Sequence, residues 1–389
     1  MEPNDAPSAL TVLSEDERLF RDSVARFADA RIRPLVREMD ERAAIPQDLV
    51  EGLFDLGVMG IEVPEALGGA GARFFHAILA VEEISAVDPA VAVLVDIHNT
   101  LVVKALLRWG SAAQRERYLP ALATHTVGAY ALSEAGAGSD AFSLAARAVA
   151  DGEGYVLNGR KLWISNAGEA GLFIVFANAD PQAGHRGITA FLVDRGTPGF
   201  TVGRKEDKVG VRASSTCELL LEDCRLPASQ VLGRPGQGYT IAIELLNEGR
   251  IGIGAQMTGL ARGAYRHAIQ YARERRQFGR PIAEFQLVRA QLARMAADIE
   301  AARLLVYNAA RLCEAGRSFV TESAISKLFA AEAAERVTSA AINVYGGCGF
   351  VRDFPVEKYW RDAKIGQIYE GTTNIQLLTI AKQLLGERR

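Results

Sequence analysis

Residues 132–141 read Leu-Ser-Glu-Ala-Gly-Ala-Gly-Ser-Asp-Ala, and the fold assigned to the chain depends on how this stretch is interpreted. Gly136-x-Gly138-x-x-Ala141 has the outline of a dinucleotide-binding fingerprint. A true fingerprint joins a strand to a helix in a parallel βαβ unit and has an acidic residue about twenty positions further on. Here turns and β-rich runs follow, and the acidic residue is missing. We therefore reject nicotinamide binding, although small residues and hydroxyls in such a loop still admit a phosphate or a flat ring through backbone N–H groups.

The sequence that follows this stretch is typical of a β domain. Short runs rich in β-branched and aromatic residues alternate with turn signals, such as DGEG at 151–154 and NGR at 158–160. This spacing predicts an antiparallel sheet, arranged as a sandwich or a barrel. The runs are Tyr155–Leu157, Lys161–Ile164, Leu172–Phe176, Ile188–Val193 and Cys217–Leu221.

Helical periodicity is found on both sides of this β region. Ser14-Glu-Asp-Glu17 fits a capping box, and Asp88-Pro89 places a proline at a first helical position. The class is therefore mixed α and β, with an N-terminal α-helical domain (1–125), a middle antiparallel β domain (126–236) and a C-terminal helical bundle domain (237–389). After the first helix, helices are predicted over 46–57, 73–86, 88–109, 239–273, 284–315, 318–345 and 373–385.

Composition excludes several classes of function. Of the 389 residues, 49% are hydrophobic and 23% charged, with a formal net charge of −3, as in ordinary globular proteins. The pI of about 6.1 and the lack of a Lys/Arg-dense block speak against nucleic acid. Cysteines and histidines lack metal-ligand spacing, so no metal is expected, and no uninterrupted apolar run predicts membrane insertion. The acidic, Pro-rich opening MEPNDAPSAL resembles neither a secretion signal nor a transit peptide, which favours a cytoplasmic, bacterial-type protein.

Four further segments have an ordinary interpretation when each is taken alone. The tryptophan of Trp163-Ile-Ser165 fits a core aromatic, the arginines of RRQFG at 275–279 a solvated helix, and YGGCG at 345–349 a break between helices. In QIYEGTTN at 367–374, Glu370 fits a surface residue before a glycine helix stop. Their combination supports another interpretation.

In order and spacing these segments resemble the acyl-CoA dehydrogenase family. The resemblance rests on YALSEAGAGSD at 130–140, WIS at 163–165, RRQFG at 275–279 and YEGTTNIQ at 369–376, and it covers nearly the whole chain after the first dozen residues. The chain is most similar to the short/branched-chain type, in LLNEGRIGIGAQM at 245–257 and PVEKYWRDAKIGQIYEG at 355–371. The family's fold is an N-terminal helical domain, a β middle domain and a C-terminal four-helix bundle.

The resemblance implies FAD as cofactor. The 130–139 segment would line the isoalloxazine and ribityl-phosphate, Trp163 would pack near the ring, and the Ser165 hydroxyl would lie close to the reactive flavin nitrogen. A guanidinium such as that of Arg275 offers several donors to pyrophosphate oxygens. In the family some contacts to the ADP portion come from a neighbouring subunit, which implies an oligomer, most often a homotetramer. The implied cofactor-binding residues are Tyr130, Ala131, Leu132, Ser133, Gly138, Ser139, Trp163, Ile164, Ser165, Arg275, Phe278, Gln286, Asn343, Gly346, Gly347, Thr372, Thr373 and Asn374.

The resemblance also implies an acyl-CoA substrate and assigns Glu370 as the catalytic residue. A thioester activates its α C–H only weakly, so a carboxylate must take that proton while the β hydrogen leaves as hydride to the flavin. The main-chain N–H of Glu370 would hydrogen-bond the thioester carbonyl, and Gly371 would let the backbone approach it. The implied substrate-binding residues are Ser139, His185, Tyr239, Asn247, Glu248, Gly249, Arg250 and Gly371.

Some family members place the base immediately before the arginine equivalent to Arg250. In this chain that position is Gly249, which cannot act as a base. Glu248 is one position away and would point elsewhere on a helix, so it is interpreted as a binding or structural residue.

The expected reaction is α,β-dehydrogenation of short or 2-methyl-branched acyl-CoAs to 2-enoyl-CoA, with electrons passed to an electron-transferring flavoprotein. The expected substrates are 2-methylbutyryl-CoA, isobutyryl-CoA or butyryl-CoA, as in fatty acid metabolism and branched-chain amino acid degradation. Two alternatives stay open: a flavin oxidase that uses oxygen, and a catalytically idle relative that acts as an assembly partner.

Overall fold

The computed structural model describes residues 9–386 of the chain. Most of the opening segment on which the cytoplasmic expectation depends lies outside this range, as do the last three residues of the predicted C-terminal domain. The cytoplasmic location stays a prediction.

The N-terminal part is helical, as predicted. The capping box is confirmed: the Ser14 hydroxyl accepts from the Glu17 N–H at 3.2 Å, and the Ser14 N–H donates to the Glu17 carboxylate at 3.0 Å. A second capping box, between Ser111 and Gln114, begins a helix for which the sequence analysis predicted no range. The helices are α1 Glu15–Phe27, α2 Val36–Arg42, α3 Gln47–Asp55, α4 Phe74–Ser85, α5 Pro89–Asp96, α6 Lys104–Trp109 and α7 Ala112–Thr124.

The predicted helix 88–109 has a widened middle. Asp88 caps it, accepting from the Ala90 N–H at 2.7 Å, and Pro89 takes the first helical position as predicted. Residues Ile97–Val103 then form a π-helical segment between α5 and α6. By length and composition Pro89–Trp109 is the one helix among residues 9–386 that could cross a membrane. However, 89% of its most apolar 18-residue stretch is buried, as in the core helix of a globular protein.

The middle part is an eight-stranded sheet. Its strands are β1 Val127–Ala131, β2 Arg147–Asp151, β3 Gly154–Ile164, β4 Ala170–Asn178, β5 Ile188–Asp194, β6 Phe200–Lys205, β7 Cys217–Pro227 and β8 Val231–Leu232. Seven strands follow the order β6-β7-β3-β2-β4-β5-β8, and β1 pairs with β4. Most pairs are antiparallel, as predicted, but β4 runs parallel to β1 and also to β2, which it meets at one residue pair, and the sequence analysis did not predict this. Parallel neighbours need a long crossover connection, and the β2–β3 hairpin lies within the one that joins β1 to β4.

The C-terminal part is a bundle of long helices, as predicted, and the fold class is confirmed. A short hairpin of β9 Arg276–Gln277 and β10 Arg280–Pro281 follows the first helix. The prediction missed one short helix, Val356–Ala363, which lies in the segment before Glu370. The helices are α8 Gly238–Glu274, α9 Gln286–Glu314, α10 Val320–Tyr345, α11 Val356–Ala363 and α12 Thr373–Leu385.

Helix α8 joins the parts of the molecule. It packs against α4 and α5 on one side and against α9 and α10 on the other. A buried carboxylate links α4 to the bundle, because Glu82 accepts hydrogen bonds from Arg303 at 3.0 Å and from Tyr307 at 3.0 Å. Residues on the middle of α8 therefore face both the N-terminal helices and the C-terminal turn. The change from helix to strand falls between Thr124 and Val127, but the three predicted domain ranges stay predictions.

Candidate active site

The turn that carries Glu370 has an unusual backbone. Glu370 has a φ of 51° and Gly371 a φ of 87°, so two consecutive residues are left-handed. For a residue with a side chain this conformation costs roughly 1–2 kcal/mol. Thr372 then caps α12 by accepting from the Ile375 N–H at 3.3 Å. The start of α12 therefore follows directly on the turn and limits where Glu370 can project.

The Glu370 carboxylate is withdrawn from solvent. The residue is half-buried, but its Oε2 atom is inaccessible and has no hydrogen-bond partner among the described residues. Burial raises the pKa of Glu370 from 4.5 to about 7, and the nearby charges of Lys327 and Arg250 lower that pKa in part. A carboxyl group with a pKa near neutrality is suited to proton transfer.

Gly249 of α8 lies against this carboxylate. A Cβ atom at Gly249 would stand 3.2 Å from Glu370 Oε2 and 3.1 Å from Leu101 Cδ2. Position 249, where some family members place the base, and the Glu370 carboxylate therefore reach the same point in space. Because Gly249 has no side chain, the Glu370 carboxylate can approach that point without a clash.

Other buried polar atoms near Glu370 also lack hydrogen-bond partners in the described part of the chain. They are Asp96 Oδ1, the Tyr130 hydroxyl and Arg250 Nε. Burial, with the Glu370 charge as a second cause, raises the pKa of Asp96 and that of Tyr130 well above their usual values. Unpaired buried polar atoms are costly, and a cluster of them indicates a place where a ligand supplies partners. Tyr130 and Arg250 were predicted from the sequence, whereas Asp96, inside an apolar helix, was missed.

The residue before Glu370 is tied to α8. The Tyr369 hydroxyl donates to Gln256 Oε1, and the fully buried Gln256 donates from Nε2 to the Pro89 carbonyl at 2.7 Å. This chain of contacts fixes the turn against α5 and α8. No sequence signal identified Gln256, since a single Gln in a helix is usually exposed.

The segment Trp163-Ile-Ser165 ends β3 in a bulge. The pairing of β3 with β7 shifts between Lys161 and Ile164, and Trp163 has a φ of 58°. Ile164 is buried, whereas the Trp163 side chain is 53% exposed. The alternative of a core aromatic is therefore wrong: the bulge presents the indole at the surface, where a flat ring can pack against it.

The loop 132–141 is held by an internal ion pair. Lys161 is fully buried and donates to Glu134 Oε1 at 2.7 Å and to the Leu132 carbonyl at 3.0 Å. Glu134 also accepts from the Ala145 N–H at 2.6 Å. A Cβ atom at Gly136 or Gly138 would meet nothing within 4 Å, so the backbone of the loop is open to a ligand. Neither Lys161 nor Glu134 was singled out in the sequence.

Two of the predicted substrate residues form an aromatic group at the start of α8. The rings of His185 and Tyr239 are 4.7 Å apart, and those of Phe142 and Tyr239 are 4.5 Å apart. His185 and Ser139 are exposed, and Phe142 was not predicted. Their roles in substrate binding stay predictions.

The remaining predicted cofactor-binding residues, most of them expected at the ADP portion, lie on the bundle domain. Phe278 is 94% exposed at the tip of the β9–β10 hairpin, and Arg275 is also exposed. A Cβ atom at Gly346 or Gly347 would meet open space. Gln286, Asn343 and Asn374 are exposed, and Thr372 and Thr373 are half-buried at the start of α12. Exposure of this kind fits a ligand or a neighbouring subunit, but each role stays a prediction.

Models of the acyl-CoA dehydrogenase N-terminal, middle and C-terminal domains match residues 14–126, 129–224 and 236–385. The chain belongs to the acyl-CoA dehydrogenase family. The resemblance inferred from the sequence, including that to the short/branched-chain type, is confirmed.

Individual relatives match over almost the full length of the chain. A probable short/branched chain specific acyl-CoA dehydrogenase of Dictyostelium discoideum is 54% identical over 377 residues, which are 97% of this chain and 91% of the relative. Butyryl-CoA dehydrogenase from Megasphaera elsdenii superposes with a TM-score of 0.94 at 39% identity, covering 96% of this chain and 99% of that one. A chain in a structure of the electron transferring flavoprotein of Acidaminococcus fermentans superposes with a TM-score of 0.95 at 40% identity. The match covers 97% of this chain and 100% of that one.

Acyl-CoA dehydrogenases are FAD-dependent oxidoreductases, and so is this chain. Its residues fit the cofactor: the exposed Trp163 indole suits a flat ring, and the open backbone at Gly136 and Gly138 suits phosphate or polar ring atoms. The exposed guanidinium of Arg275 suits a pyrophosphate.

Glu248 has a different environment from Glu370. Its side chain is fully buried, accepts from Arg108 Nη2 and lies 3.4 Å from Lys104 Nζ. The Glu248 carboxylate therefore compensates two cations of α6. Of the two roles expected from the sequence, binding or structural, this environment favours the structural one. Asn247 accepts from Arg250 Nη1 at 2.8 Å, and this contact orients the guanidinium.

Proposed function

We propose that this enzyme oxidises short and 2-methyl-branched acyl-CoA thioesters to 2-enoyl-CoA, with Glu370 as the base that removes the α proton. One observation carries the proposal: a carboxylate with an unpartnered, solvent-inaccessible oxygen faces the vacant position at Gly249. FAD, when bound, supplies the acceptor for the hydride that leaves the β-carbon.

The surroundings of Glu370 support its part in the reaction. With a pKa of about 7, a substantial fraction of the group is ionised at neutral pH, and it holds the proton once transferred. The charges of Lys327 and Arg250 stabilise the carboxylate before it accepts the proton. The buried surroundings exclude water, which would otherwise compete for the base.

A short acyl chain is supported by what lies beside the base. Gln256 and Tyr369 are hydrogen-bonded to each other next to Glu370, and Gln256 is fully buried. A longer chain directed at this pair would have to displace it, and overpacking is more costly than an unfilled space. The names of the Dictyostelium and Megasphaera relatives point to the same range of chain lengths.

Room for a branch at the α-carbon is supported by Gly249. The space that a Cβ atom would take there lies 3.2 Å from the carboxylate oxygen, where the α-carbon must approach. A methyl group on that carbon is similar in size to a Cβ atom. The missing side chain therefore favours 2-methyl-branched substrates.

The electron acceptor and the assembly are part of the same proposal. The similarity to a chain in a structure of an electron transferring flavoprotein supports that kind of acceptor.

Helix α12 exposes Leu377, Leu378, Leu384 and Leu385, at 50–74% of their surface. A homotetramer that covers this helix with a second copy is favoured by these apolar side chains. Rapid reoxidation of the reduced enzyme in air would support the oxidase alternative.

The substrate range is tested by kcat/KM for 2-methylbutyryl-CoA, butyryl-CoA and octanoyl-CoA with an artificial electron acceptor. We expect the two short substrates to be turned over at comparable efficiency, because one methyl group in an apolar pocket discriminates by only about 1–3 kcal/mol. Octanoyl-CoA should have a kcat/KM lower by about tenfold or more, because a longer chain would overpack the space beside Gln256 and Tyr369. If octanoyl-CoA is the best of the three, the proposed substrate range is wrong although the family assignment stands.

A further inference from the structure

A buried lysine of α10 contacts the turn that carries Glu370. Lys327 is fully buried, and its Nζ donates to the Gly371 carbonyl at 2.6 Å. Lysine is almost never fully buried without a partner, because removal of an ammonium group from water is costly. Here the group that it contacts directly is a main-chain carbonyl of the catalytic turn.

A second buried side chain contacts the same turn from α12. Gln376 is fully buried and donates from Nε2 to the Glu370 carbonyl at 3.1 Å and to the Gly371 carbonyl at 3.0 Å. The Gly371 carbonyl is therefore bound by side chains from both α10 and α12, and the Glu370 carbonyl by a side chain from α12. A Cβ atom at Gly371 would stand 2.7 Å from Gln376 Nε2, so the Gln376 amide can approach these carbonyls only because residue 371 is a glycine.

We propose that Lys327 is a positioning residue for the base: by binding the Gly371 carbonyl it holds the left-handed turn and directs the Glu370 carboxylate at the α-carbon. Strained backbone persists only where its surroundings fix it. Tyr369 attaches the residue before Glu370 to α8, but without Lys327 the Gly371 carbonyl after it would be bound from α12 alone. The inference rests on the proposed role of Glu370 as base and adds a residue that acts through it.

The charge of Lys327 adds a second effect on the same group. Lys327 from α10 and Arg250 from α8 both favour the ionised form of Glu370. The other titratable groups that feel the Glu370 charge are Asp96 of α5, Tyr130 of β1 and Tyr369 of the same turn. Burial lowers the pKa of Lys327 itself to about 7, so its positive charge acts on Glu370 mainly at and below neutral pH, on the acidic limb of the reaction. Loss of the lysine would therefore raise the pKa of Glu370 further. A merely structural lysine would leave the pH dependence of the reaction unchanged.

Two substitutions separate the hydrogen bond from the charge. Lys327→Met removes both, whereas Lys327→Gln keeps a donor of shorter reach and removes the charge. In Lys327→Met we expect kcat to fall about 10- to 100-fold with KM changed less than threefold, because misplacement by about 1 Å can cost 10²-fold. We expect the acidic limb of kcat/KM to follow the pKa of Glu370 and to move up by about one pH unit in both variants, because each removes a positive charge that favours the carboxylate. Lys327→Gln should regain part of kcat without reversing that shift.

Lys364→Met is the matched control. Lys364 precedes Glu370 by only six residues, but its Nζ donates to Glu335 at 3.0 Å on the surface. The same change of residue type there should leave kcat and the acidic limb as they are. Bound flavin, measured by absorbance, checks that each variant is folded.

The outcomes separate this inference from the proposed function. Wild-type kcat and an unmoved acidic limb in folded Lys327→Met overturn the inference, and if that variant does not fold, an unmoved limb in Lys327→Gln does so. Glu370→Gln is measured in parallel. Retained activity there contradicts the proposed function itself, whereas an inactive Glu370→Gln beside an unaffected Lys327→Met contradicts only the role of Lys327.

Discussion

At the scale of single residues, the site depends on a glycine as much as on a carboxylate. Gly249 leaves the space into which the Glu370 oxygen points, and Leu101 closes the other side of that space. A Cβ atom at position 249 would be within 3.2 Å of both neighbours, which is closer than ordinary van der Waals contact. One methyl group is therefore enough to test how the space is used.

We predict that Gly249→Ala impairs the branched substrate more than the straight one. The added methyl group competes with the 2-methyl branch for the same volume, so the ratio of kcat/KM for 2-methylbutyryl-CoA to that for butyryl-CoA should fall about tenfold or more. The measurement is a steady-state comparison of the two substrates. Stability should change little, since alanine is favoured over glycine in a helix by up to about 1 kcal/mol and offsets part of the crowding.

Gly52→Ala in α3 is the control for this change. A Cβ atom there would meet Phe27 Cζ at 3.3 Å, a similar distance, but in a different part of the fold. The ratio should be unchanged in Gly52→Ala. An unchanged ratio in Gly249→Ala as well would mean that the branch is accommodated elsewhere.

At the scale of elements, the first helix is joined to the bundle through its N-terminal turn. Glu17 completes the capping box with Ser14 and accepts two hydrogen bonds from Arg311 of α9, at 2.6 and 2.9 Å. The side chain is buried, and Arg73 lies 3.2 Å away. One carboxylate therefore begins α1 and attaches it to the C-terminal helices.

We predict that this attachment weakens in acid. Chiefly through its hydrogen bond to Arg311, the pKa of Glu17 is lowered from 4.5 to about 2. A lowered folded-state pKa contributes stability that is fully present above about pH 4.5 and is lost as the pH falls towards 2. Glu17→Gln should thus lower the thermal midpoint at pH 7 by several degrees, and the difference from wild type should shrink towards pH 3.

Glu15→Gln, two residues earlier in the same first turn, is the control. Glu15 is exposed, so its substitution should change the midpoint little at either pH. A deficit in Glu17→Gln that stays constant or grows between pH 7 and pH 3 would contradict the account of this contact.

At the scale of the whole molecule, periodicity and caps were sufficient for the fold class. The long helices α8, α9 and α10 were predicted to within two residues because each has a sustained apolar stripe, and the Ser14 capping box carries its own signature. Helix α11 was missed because it is short and rich in charges. The parallel pairing of β1 with β4 was missed because strand neighbours are a property of topology that a local pattern does not encode.

The candidate site was predictable only where motifs carry it. Glu370, Gly249 and Arg250 stand in recognisable segments, and the structure brings them together. Lys327 and Asp96 stand in helices with no distinguishing neighbours, and only burial beside Glu370 reveals them. Long-range contacts of α8, α10 and the C-terminal turn create that burial, so the sequence alone gives no signal for it.

The central claim, that Glu370 removes the α proton, is tested most directly by the rate of flavin reduction in a single turnover. Wild type and Glu370→Gln, each shown to bind FAD and 2-methylbutyryl-CoA, are mixed with that substrate without oxygen at pH 8. General-base catalysis contributes about 10²- to 10⁴-fold, so flavin reduction in Glu370→Gln should be slower by at least about 10²-fold. Reduction at a rate within a few fold of wild type would contradict the account and place the base elsewhere.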